Sequence, residues 1–272
     1  MKKLILAVLA TVIAAVTFAQ PRVVAHRGFY TTPGSDENTI SSLVNAQKLG
    51  IYGIEFDVNL TADDELIVAH GPKVGHLDVQ KDTYTEIKNI VLENGNKVPT
   101  LREWLIEGKK DPKTKLILEL KKHKSPEIET KIAERIVALC SELGMLEQME
   151  FTTFSLHACR EFVRLAPSNA TIYLSSSLDT PIDGEFAQKE GFRGLSYSLY
   201  VFMNRPEIID RMHELGVEST LWIVDNTELV DWAIKHNVTY ISSNFPDKIQ
   251  VYLNSKEAKR QIKKSKKQQR KL

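Results

Sequence analysis

Short apolar runs rich in β-branched residues alternate with segments of helical period from Arg22 to about Tyr252, and this alternation constrains the fold more than any other feature of the chain. It is typical of a parallel sheet covered by helices. Strands are predicted at 22–26, 52–58, 116–121, 149–154, 170–175, 194–198, 218–224 and 239–243. Helices are predicted between them, at about 37–49, 99–107, 126–143, 157–166, 184–190, 206–215 and 227–236, with a last one near 247–259.

Eight strand–helix units that close on themselves form a (β/α)₈ TIM barrel, and 272 residues with 42% hydrophobic content suit one such domain. An open doubly wound sheet is the alternative, but no glycine-rich strand–helix turn supports nucleotide binding there. The longest connection runs from His70 to Thr114 and includes a short helix predicted near 84–92. Long loops are usually functional, so we expect residues 71–98 to cover the active-site rim.

The first nineteen residues have the pattern of a secretory signal peptide. Lys2-Lys3 is followed by an apolar stretch, 4–18, and by the small-x-small site Thr17-Phe18-Ala19. A membrane anchor is the alternative, although the stretch is shorter than the ~20 residues that a span needs. Cleavage after Ala19 predicts a periplasmic or secreted protein that begins at Gln20, with the barrel over 20–255.

The last segment, 256–272, is strongly basic, with nine Lys or Arg residues and one acid. The formal charge of the whole chain is +1, so the folded body without this tail is acidic. Such a tail can make weak contact with an anionic membrane surface, and a solvated helix end is the alternative interpretation. An acidic body repels polyanions, which argues against nucleic acid as a partner.

The two cysteines are predicted to stay unpaired. Cys140 lies near the end of one predicted outer helix and Cys159 near the start of the next. These positions are at opposite ends of a barrel, much farther apart than the ~7 Å Cα separation that a disulfide tolerates.

Acidic side chains stand near the ends of two predicted strands, where a barrel carries its catalytic groups. Glu55 and Asp57 are two residues apart on one strand, so both carboxylates point to the same side, and like charges this close need a cation between them. Glu119, near the end of the next strand, adds a third carboxylate. Oxygen ligands suit Mg²⁺ or Ca²⁺ better than zinc, so we predict a site for one such divalent cation.

Basic and aromatic side chains are predicted to surround this site. Arg27 and Lys121 add fixed positive charge, which indicates a phosphate ligand. His26 and His70 can divide acid and base work near neutral pH. Each has a simpler structural alternative: a hydrogen-bonded histidine, a surface ion pair for Lys121, or a core aromatic for Trp222.

Six ordered motifs resemble those of the glycerophosphodiester phosphodiesterase family. They are His26-Arg27-Gly28, Glu37-Asn38-Thr39, Glu55-Phe56-Asp57-Val58, Val68-Ala69-His70, Glu119-Leu120-Lys121 and Trp222-Ile223-Val224-Asp225, and segment 241–247 is similar to the family's closing strand. The resemblance spans residues 22 to about 248. It implies a TIM barrel and metal-dependent hydrolysis of a small glycerophosphodiester to sn-glycerol 3-phosphate and an alcohol such as choline, ethanolamine or inositol.

The resemblance also implies residue roles. By position, Glu55, Asp57 and Glu119 hold the divalent cation, His26 and His70 form the acid–base pair, Arg27 and Lys121 hold phosphate, and Trp222 contacts substrate. The Glu37-Asn38-Thr39 motif is implied to fix the first loop.

One position departs from the family pattern. Gly71 follows the second histidine, where the family usually has aspartate. If that aspartate only shapes the loop, activity survives with altered rate or specificity. If it is essential, the chain is a non-catalytic phosphodiester-binding member. A phospholipase D-like or phosphoinositide-cleaving enzyme acting on intact lipids is a further alternative, which the basic tail favours. We expect head-group contacts from the 71–98 cover and from 197–203, and a solvent-facing His157.

Overall fold

A closed barrel of parallel strands forms the centre of the computed structural model, which describes residues 20–179 and 182–269. The strands are β1 (Arg22–Ala25), β2 (Gly53–Leu60), β3 (Leu66–Val68), β4 (Lys73–Val74), β5 (Leu77–Asp78), β6 (Lys115–Leu120), β7 (Met149–Thr153), β8 (Ala170–Ser175), β9 (Gly194–Ser198), β10 (Glu218–Trp222) and β11 (Tyr240–Ser243). The barrel order is β1-β11-β10-β9-β8-β7-β6-β2, and pairing of β1 with β2 closes it.

Helices surround the barrel. They are α1 (Ile40–Gln47), α2 (Tyr84–Ile87), α3 (Leu101–Gly108), α4 (Pro126–Glu142), α5 (Leu156–Leu165), α6 (Gly184–Glu190), α7 (Leu199–Asn204), α8 (Glu207–Glu214), α9 (Thr227–Lys235), α10 (Pro246–Leu253) and α11 (Lys256–Gln269). The TIM barrel is confirmed, and each predicted barrel strand lies within two residues of the observed one.

Burial and capping explain why these segments adopt their structure. All eight residues of β2 are buried, because one face of a parallel barrel strand packs against side chains inside the barrel and the other face is covered by helices. Thr39 and Thr100 form capping boxes at the starts of α1 and α3. Pro126 occupies the first turn of α4, where its missing N–H costs nothing.

Some helix boundaries differ from the prediction. Helix α1 begins at Ile40 rather than at 37, because Thr39 has extended backbone angles and caps it. The short helix α2 ends at Ile87. The last predicted helix, near 247–259, is two helices separated at Asn254-Ser255, and α7 was not predicted.

The insertion after β2 forms a small unit of its own. Strand β3 runs antiparallel to β2, and β4 and β5 form a hairpin. A separate core cluster supports this unit, made of Ile67, Ala69, Val74, Val79, Ile87 and Val98. The predicted cover over 71–98 therefore has its own hydrophobic support beside the end of β2.

Both cysteines are buried and free, which confirms the prediction. Helix α11 packs on α9, with Ser265 Oγ 3.4 Å from Ile234 O, and Ala258 of α11 is buried. None of the described helices is long and apolar enough to cross a membrane. The predicted signal peptide, 1–19, and the last three residues of the basic tail lie outside the described residues.

Candidate active site

Three buried carboxylates meet at the carboxyl ends of β2 and β6. Glu55 and Asp57 point to the same side of β2, and Asp57 pairs with Glu119 in the parallel register. One carboxylate oxygen from each of the three lies within 4.8 Å of the others. The sequence prediction that these residues converge is confirmed, and the cluster can hold a metal ion.

The electrostatics of this cluster fit a cation. The Oε2 atom of Glu55 accepts a hydrogen bond from Arg27 N (2.8 Å), whereas its buried Oε1 has no hydrogen-bond partner within the described ranges. Burial, with Asp57 and Glu119 beside it, raises the pKa of Glu55 well above its ordinary value. Burial and Asp57 also raise the pKa of Glu119, to about 7. A hard divalent ion would relieve both the repulsion and the unpaired oxygen.

Two cations stand beside the carboxylates. Lys121 Nζ lies 2.6 Å from Glu119 Oε1 and 3.2 Å from Asp57 Oδ1. Arg27 Nε lies 3.5 Å from Asp57 Oδ2, and Arg27 Nη1 donates to Glu37 Oε2 at 2.8 Å. Burial acts to raise the pKa of Asp57, but Lys121 and Arg27 outweigh it and lower that pKa. The positive charge next to the carboxylates suits a phosphate ligand.

The loop after β1 is held in place by residues of the Glu37-Asn38-Thr39 motif. Asn38 Nδ2 donates to Asp57 Oδ2 (2.7 Å), while Asn38 Oδ1 accepts from Asp57 N (3.0 Å). Gly28 has φ +80°, and a Cβ there would lie 2.4 Å from Ser42 Oγ, so only glycine fits. Together with the cap at Thr39, these contacts place Arg27 beside Asp57.

The ring of His26 is held by Asn244, the residue that follows the last barrel strand. His26 Nδ1 lies 2.8 Å from Asn244 Oδ1, and Asn244 Nδ2 donates to Asp225 Oδ2 at 2.8 Å. The carbonyl oxygen of the amide can only accept, so the neutral ring carries its proton on Nδ1 and leaves a lone pair on Nε2. Burial lowers the pKa of His26, which favours the neutral ring.

His70 is fixed in a similar way by the main chain. Its Nδ1 lies 2.9 Å from Gly71 O, an acceptor, so the neutral ring again leaves Nε2 with a lone pair. Burial lowers the pKa of His70 as well.

A cavity of about 150 Å³ brings the predicted site residues together at the mouth of the barrel. Its walls include His26, Arg27, Glu55, His70, Glu119, Lys121 and Trp222. Asp57, the remaining predicted residue, is bonded to Lys121 beside this cavity. The constellation can bind a metal ion and a phosphate and can transfer protons.

The sequence of the chain matches a known family over most of its length. The model of the glycerophosphoryl diester phosphodiesterase family matches residues 26–248. The chain belongs to this family. It is therefore a phosphoric diester hydrolase of the glycerophosphodiester phosphodiesterase class.

Individual relatives agree with this assignment. A glycerophosphodiester phosphodiesterase from Caldanaerobacter subterraneus is 27% identical over 83% of this chain and 94% of the relative. The crystal structure of one from Parabacteroides distasonis is 35% identical, with a TM-score of 0.83 over 88% of this chain and 98% of that one. A phosphodiesterase from Oleispira antarctica shares the fold, with 22% identity and a TM-score of 0.73 over 87% of this chain and 98% of that one.

Two aromatic residues, Phe154 and Trp222, form part of the cavity wall. Trp222 ends β10, and its ring meets that of Phe154 edge to face, with centroids 6.0 Å apart. The indole Nε1 of Trp222 is buried and finds no hydrogen-bond partner among the residues described. Phe154 was missed by the sequence analysis, because an aromatic residue after a buried strand gives no functional signal of its own.

The expectation for Tyr197, within the stretch 197–203, and the expectation for His157 were wrong. Tyr197 does not contact the cavity: it is fully buried in the core, and its hydroxyl donates to Ile182 O at 2.7 Å. His157 is half-buried rather than solvent-facing, with Nε2 2.8 Å from Thr130 Oγ1. Asn244 and Asp225 were overlooked as site residues, although both lie in segments that the sequence analysis matched to the family.

Proposed function

We propose that the protein hydrolyses glycerophosphodiesters in a metal-dependent reaction that releases sn-glycerol 3-phosphate and an alcohol. The observation that carries the proposal is one cavity where buried carboxylates, two cations and two histidines meet. The Oleispira antarctica phosphodiesterase, which has the same fold, was crystallised in complex with the product sn-glycerol 3-phosphate.

Glu55, Asp57 and Glu119 would hold the divalent cation, Mg²⁺ or Ca²⁺, since hard ions prefer oxygen ligands. When bound, the ion supplies positive charge that stabilises the phosphoryl oxygens as negative charge develops on them. Arg27 and Lys121 bind those oxygens, and Trp222 contacts the organic part of the substrate.

His26 and His70 divide the proton transfers. One Nε2 accepts the proton of the glycerol 2-hydroxyl as its oxygen forms a bond to phosphorus. The other histidine, in its protonated form, gives a proton to the leaving oxygen as the bond from phosphorus to that oxygen breaks. The cyclic phosphate formed in this way is then opened by water, with the two histidines in exchanged roles.

The protein acts outside the cytoplasm in this proposal, after cleavage behind Ala19, and α11 makes weak contact with an anionic membrane surface. The exposed face of α11 carries lysines and one arginine, which supports such a contact. N-terminal sequencing of the exported protein tests the first point. Flotation with anionic and with neutral vesicles tests the second.

The decisive experiment measures release of sn-glycerol 3-phosphate by protein that begins at Gln20. Substrates are glycerophosphocholine, glycerophosphoethanolamine and glycerophosphoinositol, first in EDTA and then with Mg²⁺ or Ca²⁺ restored. We expect no release in EDTA and recovery with one of the ions. Failure with both ions, in protein that still binds metal, would contradict the proposal and favour a lipid-active or non-catalytic member.

A further inference from the structure

A second, larger cavity of about 570 Å³ adjoins the first one. His70 lines both cavities, so they lie next to each other at this residue. The second cavity lies between the loop 30–38, which follows β1, and the segments 68–75 and 92–98 of the insertion. A phosphodiester whose phosphorus sits at the carboxylates and His70 therefore has this outer cavity next to it, on the His70 side.

The outer cavity is built before any ligand arrives, because two of its walls are joined by hydrogen bonds. Asn94 Nδ2 donates to Ser35 O (2.9 Å), and Asn96 Nδ2 donates to Gly34 O (3.0 Å). Both amides also donate to the carboxylate of Asp36, at 3.1 and 2.8 Å. Binding of a ligand therefore costs little conformational entropy, because these loops are already ordered.

The charge of the outer cavity is negative. Its lining carries the carboxylates of Asp36, Glu37 and Glu93 against one lysine, Lys73. Glu37 forms an ion pair with Arg27, whereas the hydrogen bonds to Asp36 from Asn94 and Asn96 come from neutral amides. Glu93 is exposed and forms no ion pair with any residue that the structure describes. Two carboxylates thus face one exposed cation.

The walls of the same cavity are partly apolar and suit methyl or methylene groups. They include Val68, Ala69, Val74, Leu92, Val98 and the aromatic residue Tyr30. An organic cation gains from both features, since its charge is attracted by the carboxylates and its carbon atoms contact the apolar walls. A neutral polyol is attracted less strongly by the carboxylates and gains less from contact with the apolar walls.

We propose that the outer cavity binds the alcohol part of the substrate and selects alcohols that carry an ammonium group, with Glu93 as a specificity-determining residue. This inference rests on the proposed function, because it names the substrate class of the same site. It assigns the phosphate and the glycerol to the inner cavity and the leaving alcohol to the outer one.

The test compares kcat/KM for glycerophosphocholine with kcat/KM for the neutral glycerophosphoglycerol. We expect this ratio to exceed one in the wild type. In Glu93→Lys we expect the ratio to be about three- to fivefold lower, a modest change because exposed charges interact weakly. Glu257→Lys on α11 is the matched control, because it makes the same charge change at an exposed position outside the cavity. Equal efficiencies in the wild type, or a ratio that Glu93→Lys leaves unchanged, would overturn the inference while the proposed function stands.

Equilibrium binding separates the two proposals if the wild type cleaves neither diester. Both diesters are titrated into His26→Ala, and into His26→Ala combined with Glu93→Lys, with Mg²⁺ or Ca²⁺ present. Tighter binding of glycerophosphocholine that is lost in the double variant supports the cavity assignment although the proposed reaction has failed. Equal binding of the two diesters, or no binding of either, overturns the cavity assignment as well.

Discussion

The Nδ1 atom of His26 lies 2.8 Å from Oδ1 of Asn244, and Asn244 is held in turn by both oxygens of Asp225. Asp225 accepts from the main-chain N–H and from Nδ2 of Asn244, each at 2.8 Å, so the amide cannot turn its nitrogen toward the histidine. The result is a fixed ring with the Nε2 lone pair available for proton transfer.

Removal of the acceptor in Asn244→Ala should lower kcat about 10- to 100-fold with little change in KM, since Asn244 orients His26 and does not line the cavity. Steady-state kinetics on glycerophosphocholine measure this. Asn45→Ala is the control, because Asn45 also donates a side-chain hydrogen bond, to Thr32, without contacting a site histidine. An effect on KM alone would show that Asn244 does not act through His26.

Either histidine variant, His26→Ala or His70→Ala, should lose turnover by more than about 100-fold, as expected when a general acid or base is removed. Thermal unfolding should show that both variants remain folded. His76→Ala is the control: His76 is exposed in the same insertion and lines neither cavity. A full rate in His26→Ala or His70→Ala would rule out the acid–base assignment.

The barrel and the carboxylate cluster could be predicted from the sequence because each depends on a local pattern. Buried parallel strands are short apolar runs, and two carboxylates two residues apart on a strand must share a face. The barrel then brings strand ends together without any further information. Glu55, Asp57 and Glu119 were found in this way.

Features that depend on strand register could not be predicted. Ser196 lines the cavity, whereas the neighbouring Tyr197 points into the core. Side chains alternate between the two faces of a strand, and nothing in the sequence of β9 tells which face is turned toward the cavity. The contact of Asp225 with Asn244 joins segments that follow different strands. It arises only from the pairing of β10 with β11.

Replacement of Gly71 by the family's usual aspartate should leave activity within about threefold of wild type. Gly71 has φ +73°, which aspartate tolerates better than most residues, and the nearest atom to a new Cβ is Asn59 Nδ2 at 3.6 Å. The bond from His70 to the main-chain oxygen at this position is kept. We expect a cost of about 1 kcal/mol and a Tm lower by about 2–4 °C.

Gly75→Asp is the matched control for that substitution, because Gly75 has φ +59° in the same insertion and a similar distance, 3.5 Å, from a new Cβ to Ile90. Kinetics and thermal unfolding of both variants are compared. A rate increase above about tenfold in Gly71→Asp alone would mean that the aspartate takes part in catalysis.

Stability of the metal-free protein should depend on pH through Glu119. Burial, with Asp57 beside it, raises the pKa of Glu119 from 4.5 to about 7, so between these values the folded protein holds a proton that the unfolded chain has released. The free energy of unfolding therefore falls as pH rises through this range, by at most about 3 kcal/mol. His26 and His70 act in the opposite sense, because burial lowers their pKa values and the unfolded chain is the one that holds the protons.

Comparison of wild type with Glu119→Gln removes the contribution of the histidines, which are present in both proteins. The remaining difference comes from Glu119 and from its effect on the pKa of Glu55, which acts in the same sense because Glu119 raises that pKa. Urea unfolding in EDTA between about pH 5 and about pH 8 should show the wild type losing stability relative to the variant as pH rises. Added Mg²⁺ or Ca²⁺ should raise the stability of the wild type most at the upper end of this pH range, where the ion no longer competes with a proton. The same ions should raise the stability of the variant less. A stability difference that does not change with pH and does not respond to metal would show that Glu119 neither titrates in this range nor binds the ion.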